Sequence, residues 1–325
     1  MGCAWCGTDR GATAVSNHHA QRKSQARPTS QPSHAPDLPL RPGQSLELLK
    51  ELHILTREGK LNQDSRRKLK QVFHLIGFIE KAIAALPLQV GAGLHLADHG
   101  AGKSYLGFIL YDLIFKQLPQ GVIYGIEARS ELVEASRTLA KRLGYDRMVF
   151  LNQSVVDSLA SAALPPAIDV VTALHACDTA TDDAIRFGLE KCARVMVLVP
   201  CCQAEVARHL NLGKATSLRR TPLAELWRHP LHARELGSQI TNVLRCLYLE
   251  ACGYQVTVTE LVGWEHSMKN ELILARYTGQ RKQAPAQRLV QILEEFGIES
   301  LLDTRFTWIN HNLHASQTPM LGAAR

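Results

Sequence analysis

The chain has 325 residues, of which 46% are hydrophobic and 21% charged, and its formal net charge is +7. This length and hydrophobic content allow a full buried core, and no apolar run approaches the roughly 20 residues that cross a bilayer, so no membrane partner is expected. The positive charge favours an anionic partner such as a nucleic acid, although a mildly basic surface without such a partner is also consistent with it.

The cysteines and the first residues favour a reducing compartment. The eight cysteines are scattered, and the first residues carry no charged region followed by an apolar stretch, so no secretory signal is predicted. We therefore expect a cytoplasmic protein with reduced thiols. Cys3 and Cys6 form a C-x-x-C pair, but no second pair follows nearby, and no metal site is predicted.

The N-terminal part changes character at residue 44. Residues 1–43 are rich in Ser, Pro, Gln, Ala and Arg, and a segment with so few large apolar residues cannot offset its ordering entropy. We predict a disordered basic leader there. Residues 44–90 carry apolar residues at three- and four-residue steps, which predicts a helical extension with helices over 45–59 and 65–86.

Between residues 91 and 280, strand patterns alternate with helix patterns. The runs at 94–98, 121–128, 148–154, 167–177 and 194–202 are apolar throughout, which is typical of parallel strands covered on both faces. Residues 204–250 are predicted to be mainly helical. The segments 253–262 and 270–278 are joined by a short loop and are predicted to form an antiparallel hairpin. Residues 281–325 are predicted to form a C-terminal helix and a tail.

The stretch DHGAGKSYLG at residues 98–107 allows two interpretations. A phosphate-binding P-loop requires G-x-x-x-x-G-K-[ST], but its first glycine falls on Ala97. The alternative is a nucleoside cofactor site, because Gly100 and Gly102 let the backbone approach a ligand closely. Glu127, at the end of the second predicted strand, would then accept hydrogen bonds from both ribose hydroxyls. The surrounding strand and helix pattern favours this second interpretation.

The segment Asp98–Gly102 together with Glu127 resembles the class I methyltransferases that use S-adenosylmethionine (SAM), over residues 90–280. The resemblance implies an α/β fold with a Rossmann-like sheet of seven strands, of which the last is antiparallel, and SAM as the cofactor. The segments LHACDTATDDAI (174–185) and VPCCQ (199–203) resemble a subgroup that includes the tRNA 2′-O-methyltransferase. This chain departs from that enzyme at Asp178, at Gln203 and in lacking its zinc-finger residues.

The resemblance implies that the cofactor contacts the ends of the first three strands. The residues concerned are Asp98, His99, Gly100, Ala101, Gly102, Lys103, Glu127, Ala128, Ser154 and Val155. The alternative is a set of ordinary turn glycines with a surface acid. Lys103 and Ser104 are predicted to lie in the first turn of the helix that follows the loop.

His175 and Cys177 end the predicted fourth strand and are expected to face the transferred methyl group. A neutral histidine there would orient the substrate or remove its proton, and a structural role for both residues stays open. Cys201 and Cys202 follow the fifth strand. One of them could add to a pyrimidine as a thiolate, but the recurrence of the pair in the subgroup favours packing or close approach to the substrate.

Two further groups of residues have open roles. Lys269 and Asn270 precede the last strand and either reach the substrate or belong to a plain loop. Asp178, Thr179 and Thr181 are predicted to cap the helix after the fourth strand. The arginines near residues 219–234 form a basic face or a solvated one; they are Arg219, Arg220, Arg228 and Arg234.

The residues together predict a SAM-dependent methyltransferase. RNA is the favoured substrate, because of the positive charge and the subgroup resemblance. The alternatives are a methyltransferase that acts on a protein or a small molecule, and an RNA-binding protein whose SAM site is vestigial.

Overall fold

The computed structural model describes residues 40–61, 63–87, 93–174, 176–200, 203–211, 221–261 and 271–309. Most of the predicted leader and the loop between the last two predicted strands lie outside these stretches. Among the described residues, no helix is both long enough and apolar enough to span a bilayer.

The N-terminal extension forms two helices, α1 (Leu46–Glu51) and α2 (Gln63–Ala84). The prediction for α2 agrees with the structure, but the prediction of one helix over 45–59 is wrong in its second half. The helix ends early because His53 adopts a left-handed backbone with φ of 54°, which a continuing helix does not accommodate.

The extension is tied to the rest of the domain through the buried carboxylate of Asp112. The backbone N–H of Ser45 donates to Asp112 Oδ2 at 2.7 Å, and the hydroxyl of Tyr145 donates to Asp112 Oδ1 at 2.8 Å. An ion pair between Glu51 and Arg142 adds a second attachment. The extension therefore packs as part of the domain.

Seven strands form one sheet. In chain order they are β1 (Leu94–His99), β2 (Gly121–Glu127), β3 (Met148–Asn152), β4 (Val170–Leu174), β5 (Val195–Val199), β6 (Tyr254–Glu260) and β7 (Glu271–Tyr277). The spatial order is β3-β2-β1-β4-β5-β7-β6. The first five strands pair in parallel, and β7 is antiparallel to both β5 and β6. The predicted Rossmann-like sheet with a reversed last strand is confirmed.

Helices follow most strands. They are α3 (Tyr105–Leu113), α4 (Ser130–Leu143), α5 (Val155–Ser158), α6 (Ala180–Glu190), α7 (Glu205–Asn211), α8 (Pro230–Ala251), α9 (Gln283–Phe296) and α10 (Ser300–Thr304). Short 3₁₀ turns lie at Phe115–Gln117 and Pro222–Trp227. The sequence did not predict α5 or α10, which are each too short to show a helical period.

The five parallel strands are mostly buried on both faces, to which successive side chains of a strand point in turn. On one face, Ala173, Met196 and Leu198 join a large apolar cluster with residues of α6, α8 and α9. On the other face, Phe150 of β3 packs against Phe108 of α3 at 5.7 Å between ring centroids. This two-sided burial explains why the parallel strands are apolar throughout rather than alternating.

One buried ion pair joins α6 to α8. The side chain of Arg245 is 1% exposed and that of Asp182 is 9% exposed. Arg245 Nε and Nη2 donate to the two carboxylate oxygens of Asp182 at 2.8 and 2.6 Å. Arg245 Nη2 also donates to the backbone carbonyl of Asp178 at 2.8 Å, and Nη1 donates to Asn242 Oδ1 at 3.2 Å. The guanidinium thus holds the loop after β4 to the middle of α8.

We predict that Arg245→Met destabilises the protein by about 3–5 kcal/mol, because it leaves the Asp182 carboxylate buried without its cation. Arg186→Met is the matched control on α6, since its pair with Glu190 is exposed and contributes about 0.5 kcal/mol or less. Urea unfolding followed by circular dichroism measures both changes. Equal losses in the two variants would contradict this account of the buried pair.

Candidate active site

The loop after β1 has glycines at two positions with a left-handed backbone. Gly100 and Gly102 have φ of 62° and 57°, in the left-handed region that glycine enters without strain. The backbone N–H of Ala101 donates to Ile126 O of β2 at 3.2 Å, which fixes the loop above the neighbouring strand. The loop therefore presents a backbone surface with few side chains at the carboxyl edge of the sheet.

Lys103 and Ser104 precede α3 and do not form its first turn, so that prediction is wrong. Ser104 has φ of 52°, and this left-handed backbone is incompatible with a helical turn. The Ser104 side chain is buried, and its hydroxyl has no hydrogen-bond partner among the described residues. Lys103 is exposed beside the loop.

Glu127 ends β2 and holds the glycine loop. Its Oε2 accepts a hydrogen bond from Gly102 N at 2.8 Å, and its Oε1 accepts one from Arg129 N at 3.0 Å. The guanidinium of Arg129 donates to both carboxylate oxygens, at 2.8 Å from Nε and 3.2 Å from Nη2. Burial opposes ionisation of Glu127, but the bonds from Arg129 and Gly102 hold its pKa below its usual value. The carboxylate is therefore an ionised acceptor beside the loop.

Asp98 is buried near the carboxyl end of β1. The residue is 2% exposed, and its Oδ1 accepts a hydrogen bond from the hydroxyl of Thr172 on β4 at 2.7 Å. Burial raises the pKa of Asp98 to about 7, and the bond from Thr172 opposes that rise. The contact that the structure records for Asp98 thus ties β1 to β4.

His99 is fully buried beneath the loop. Its ring packs against that of Phe187 on α6, with 4.3 Å between the centroids. Burial lowers the pKa of His99 to about 3, so the imidazole is neutral at physiological pH. Neither ring nitrogen has a hydrogen-bond partner within the described stretches.

The ends of β2 and β3 are held together by Asn152. Its side-chain amide donates to the carbonyls of Glu127 and Ala128, at 3.2 and 2.8 Å. Ser154 caps α5, because its hydroxyl oxygen accepts a hydrogen bond from Asp157 N at 3.1 Å, and Val155 begins that helix. The structure therefore brings the candidate residues of β1, β2 and β3 to one edge of the sheet.

Five predicted site residues lie outside the described stretches: His175, Cys201, Cys202, Lys269 and Asn270. The described residues next to them in the chain include Leu174, Pro200 and Glu271. Leu174 pairs with Val199, and β7 begins opposite the end of β5. The described ends of β4 and β5 and the start of β7 therefore lie side by side in the sheet.

Asp178 caps a helix, but the prediction that it caps α6 is wrong. Asp178 has φ of 49°, and its Oδ1 accepts hydrogen bonds from Ala204 N and Glu205 N at 3.0 and 3.3 Å. Because the backbone turns there with left-handed geometry, the carboxylate caps α7, after β5, and not α6. Despite partial burial, the Ala204 bond and Arg208 lower the pKa of Asp178. Cys177, immediately before it, is exposed.

Thr179 and Thr181 do not cap α6 with their side chains either. Thr179 occupies the N-cap position, but its side chain makes no capping hydrogen bond. The Thr181 hydroxyl donates to Ala176 O at 2.7 Å, inside the loop after β4. The start of α6 is therefore held by the loop and by the pairing of Asp182 with Arg245.

A polar network that the sequence reasoning missed connects the loop after β5 to β7. Gln203 Nε2 donates to Asn242 Oδ1 at 3.1 Å, and the hydroxyl of Ser238 donates to Gln203 Oε1 at 2.6 Å. Asn242 Nδ2 in turn donates to Glu271 Oε2 at 2.8 Å. The signal in the sequence is the polar spacing of Ser238, Asn242 and Arg245, which puts all three on one face of α8.

The arginines that suggested a basic face have acidic partners where they are described. Arg228 pairs with Glu225 and Arg234 pairs with Glu235, at 3.1 Å in both cases. Arg219 and Arg220 lie outside the described residues. The described part of this region is therefore locally neutralised rather than strongly basic.

Residues 67–209 match the model of a methyltransferase domain family. The match covers β1 to β5, the glycine loop and Glu127. Those residues suit the cofactor, because two glycines allow close backbone approach and an ionised carboxylate lies next to them. The chain is a methyltransferase of the SAM-dependent class, and S-adenosylmethionine is its cofactor.

Several solved structures resemble this chain at low identity. A putative O-methyltransferase from Klebsiella pneumoniae is 16% identical, with a TM-score of 0.41, and the alignment covers 74% of this chain and 92% of that one. The magnesium protoporphyrin IX methyltransferase of Synechocystis PCC 6803 is 14% identical, with a TM-score of 0.39, and coverage of 71% and 94%. The fibrillarin of Aeropyrum pernix is 14% identical, with a TM-score of 0.35, and coverage of 61% and 74%. Among curated proteins, none matches this sequence significantly.

We predict that Asp98 makes stability depend on pH between about 4 and 7. Its pKa is about 7 in the folded protein and about 3.9 in an unfolded chain. The folded state therefore binds the extra proton in this window, and the contribution present below about pH 4 is lost as the pH rises through 7. Relative to Asp98→Asn, the wild type should lose roughly 1–4 kcal/mol between about pH 4 and pH 8, measured by urea unfolding.

Thr172→Val is the companion variant for this measurement. It removes the hydroxyl that favours the charged form of Asp98, so the upper limit of the pH window should move to higher pH. Parallel pH profiles for the wild type and Asp98→Asn would show that Asp98 does not titrate in this range.

Proposed function

We propose that this methyltransferase acts on RNA. Its net charge of +7 suits a polyanionic substrate. The observation that carries the proposal is the joint between the loops after β4 and β5, where the Asp178 carboxylate accepts hydrogen bonds from Ala204 N and Glu205 N. Both loops belong to segments that resemble the tRNA 2′-O-methyltransferase subgroup, and Asp178, which joins them, is a position at which this chain departs from that enzyme. Because this contact joins the two loops at the carboxyl ends of the strands, it supports the proposal that they form a single substrate-binding site.

The residues of this chain would act mainly by positioning. S-adenosylmethionine, when bound, supplies an electrophilic methyl group. Glu127 would accept hydrogen bonds from the ribose hydroxyls, and the backbone of the glycine loop would lie against the cofactor. His175 and Cys177 would hold the acceptor atom in line with the methyl carbon, and a neutral His175 would take the proton that the acceptor loses.

A second candidate is methyl transfer to a protein or a small molecule. The pairing of Arg228 with Glu225 and of Arg234 with Glu235 favours it, because these arginines are already neutralised before any phosphate approaches. In this case the positive charge of the chain would serve solubility rather than substrate binding.

We predict that tritiated SAM labels total RNA when it is incubated with the protein. Parallel reactions contain total protein or a small-molecule extract, and label is counted after separation of the three classes. Glu127→Ala should remove the label, because the variant loses two charged hydrogen-bond acceptors for the ribose. Glu134→Ala, which removes an exposed carboxylate on α4, is the matched control. Label in protein or small molecules alone would reject RNA as the substrate.

A separate test distinguishes the two roles of the cysteine pair. If Cys201 or Cys202 only packs or approaches the substrate, Cys201→Ser and Cys202→Ser should keep labelling within about tenfold of the wild type. A thiolate that adds to a pyrimidine would instead be essential, and RNA containing 5-fluorocytidine would then form a covalent complex on a denaturing gel. We expect no such complex, and its appearance would establish the nucleophilic route.

A further inference from the structure

The carboxylate of Glu127 already receives four hydrogen bonds. Two come from backbone N–H groups, those of Gly102 and Arg129, at 2.8 and 3.0 Å. The other two come from the guanidinium of Arg129, which donates to one oxygen from Nε and to the other from Nη2. A carboxylate offers about four lone-pair sites, so these four donors fill its accepting capacity.

A ribose with two hydroxyls needs two of these four positions. The backbone donors are fixed, because Gly102 lies in the left-handed loop and Arg129 is the N-cap residue of α4. The guanidinium is different, since the Arg129 side chain is 61% exposed while that of Glu127 is 8% exposed. The guanidinium donates one hydrogen bond to each carboxylate oxygen. Two adjacent ribose hydroxyls can donate to the two oxygens in the same way.

The guanidinium also lies over the glycine loop. Arg129 Nη2 is 3.9 Å from the point where a Cβ on Gly102 would stand. The surface that the two glycines leave open for a ligand is therefore partly covered by Arg129. Glu131, in the exposed first turn of α4, attracts Arg129 as well and offers a second acidic partner once the guanidinium leaves Glu127.

We propose that the guanidinium of Arg129 competes with the ribose diol of SAM for Glu127, so that cofactor binding displaces Arg129 from the glycine loop. This inference rests on the cofactor role of Glu127. Arg129 is thereby an affinity determinant of the cofactor site, and it favours ligands whose sugar carries both hydroxyls. Only such ligands replace both of the hydrogen bonds that are lost when the guanidinium leaves.

The test measures binding of SAM and S-adenosylhomocysteine by calorimetry at low salt, without any methyl acceptor. Arg129→Met keeps the aliphatic stem and removes the competing donors, and it should tighten both ligands roughly two- to fivefold. Arg129→Lys keeps the charge but cannot donate to both carboxylate oxygens at once. Its affinity for both ligands should therefore lie between those of the wild type and Arg129→Met. Arg142→Met is the matched control, since it removes a paired arginine elsewhere on α4 and should change nothing.

Two further measurements sharpen the test. A 2′,3′-dideoxy form of S-adenosylhomocysteine should gain less affinity from Arg129→Met than S-adenosylhomocysteine itself, because it has no hydroxyls to compete for Glu127. Added salt weakens an exposed ion pair, so it should reduce the difference in SAM affinity between the wild type and Arg129→Met.

The outcomes separate this inference from the cofactor assignment. If the wild type binds SAM and Arg129→Met binds it equally or more weakly, the competition is overturned and the cofactor assignment stands. If no variant binds SAM or S-adenosylhomocysteine while circular dichroism shows each to be folded, the assignment fails and the competition fails with it. An equal gain for the dideoxy ligand also overturns the competition.

Discussion

The loops after β4 and β5 depend on the buried pairing of Arg245 with Asp182. A buried guanidinium requires hydrogen bonds for most of its donors, and Arg245 obtains them from Asp182, Asn242 and the carbonyl of Asp178. Meeting that requirement fixes the turn at Asp178, whose carboxylate then caps α7. The hydrogen bonds that offset the desolvation of the Arg245 guanidinium therefore also fix the conformation of the loops after β4 and β5.

The loop after β1 is organised differently, by backbone conformation rather than by a buried ion pair. Its loop is shaped by Gly100 and Gly102, and it is held by one carboxylate, Glu127, that accepts from the loop itself. The two regions meet at the carboxyl edge of the sheet, where parallel strands end together and polar groups converge. One region is thus held by a buried network around Arg245, and the other by the contact of Glu127 with an exposed arginine.

The sequence predicts the sheet well because two-sided burial leaves long apolar runs that are easy to recognise. It also places Asp98, the glycines and Glu127 in one region, since each ends or follows a strand. It fails where a single backbone dihedral decides the outcome: His53 ends a helix early, and Ser104 and Asp178 turn in the left-handed region. It also fails for Arg245, because one arginine in an amphipathic helix reads as a surface residue until its partner, 63 positions away, is known.

The two acids of the cofactor motif show how environment divides the roles of similar residues. Asp98 is enclosed by the sheet, and burial raises its pKa to about 7 although Thr172 donates to it. Glu127, only slightly more exposed, accepts several N–H groups that hold its pKa below the usual value. Less complete burial and a larger set of N–H donors therefore together keep Glu127 charged at neutral pH. Glu127 is therefore the acid whose charge suits the proposed contact with a ribose diol, and the contact of Asp98 with Thr172 joins β1 to β4.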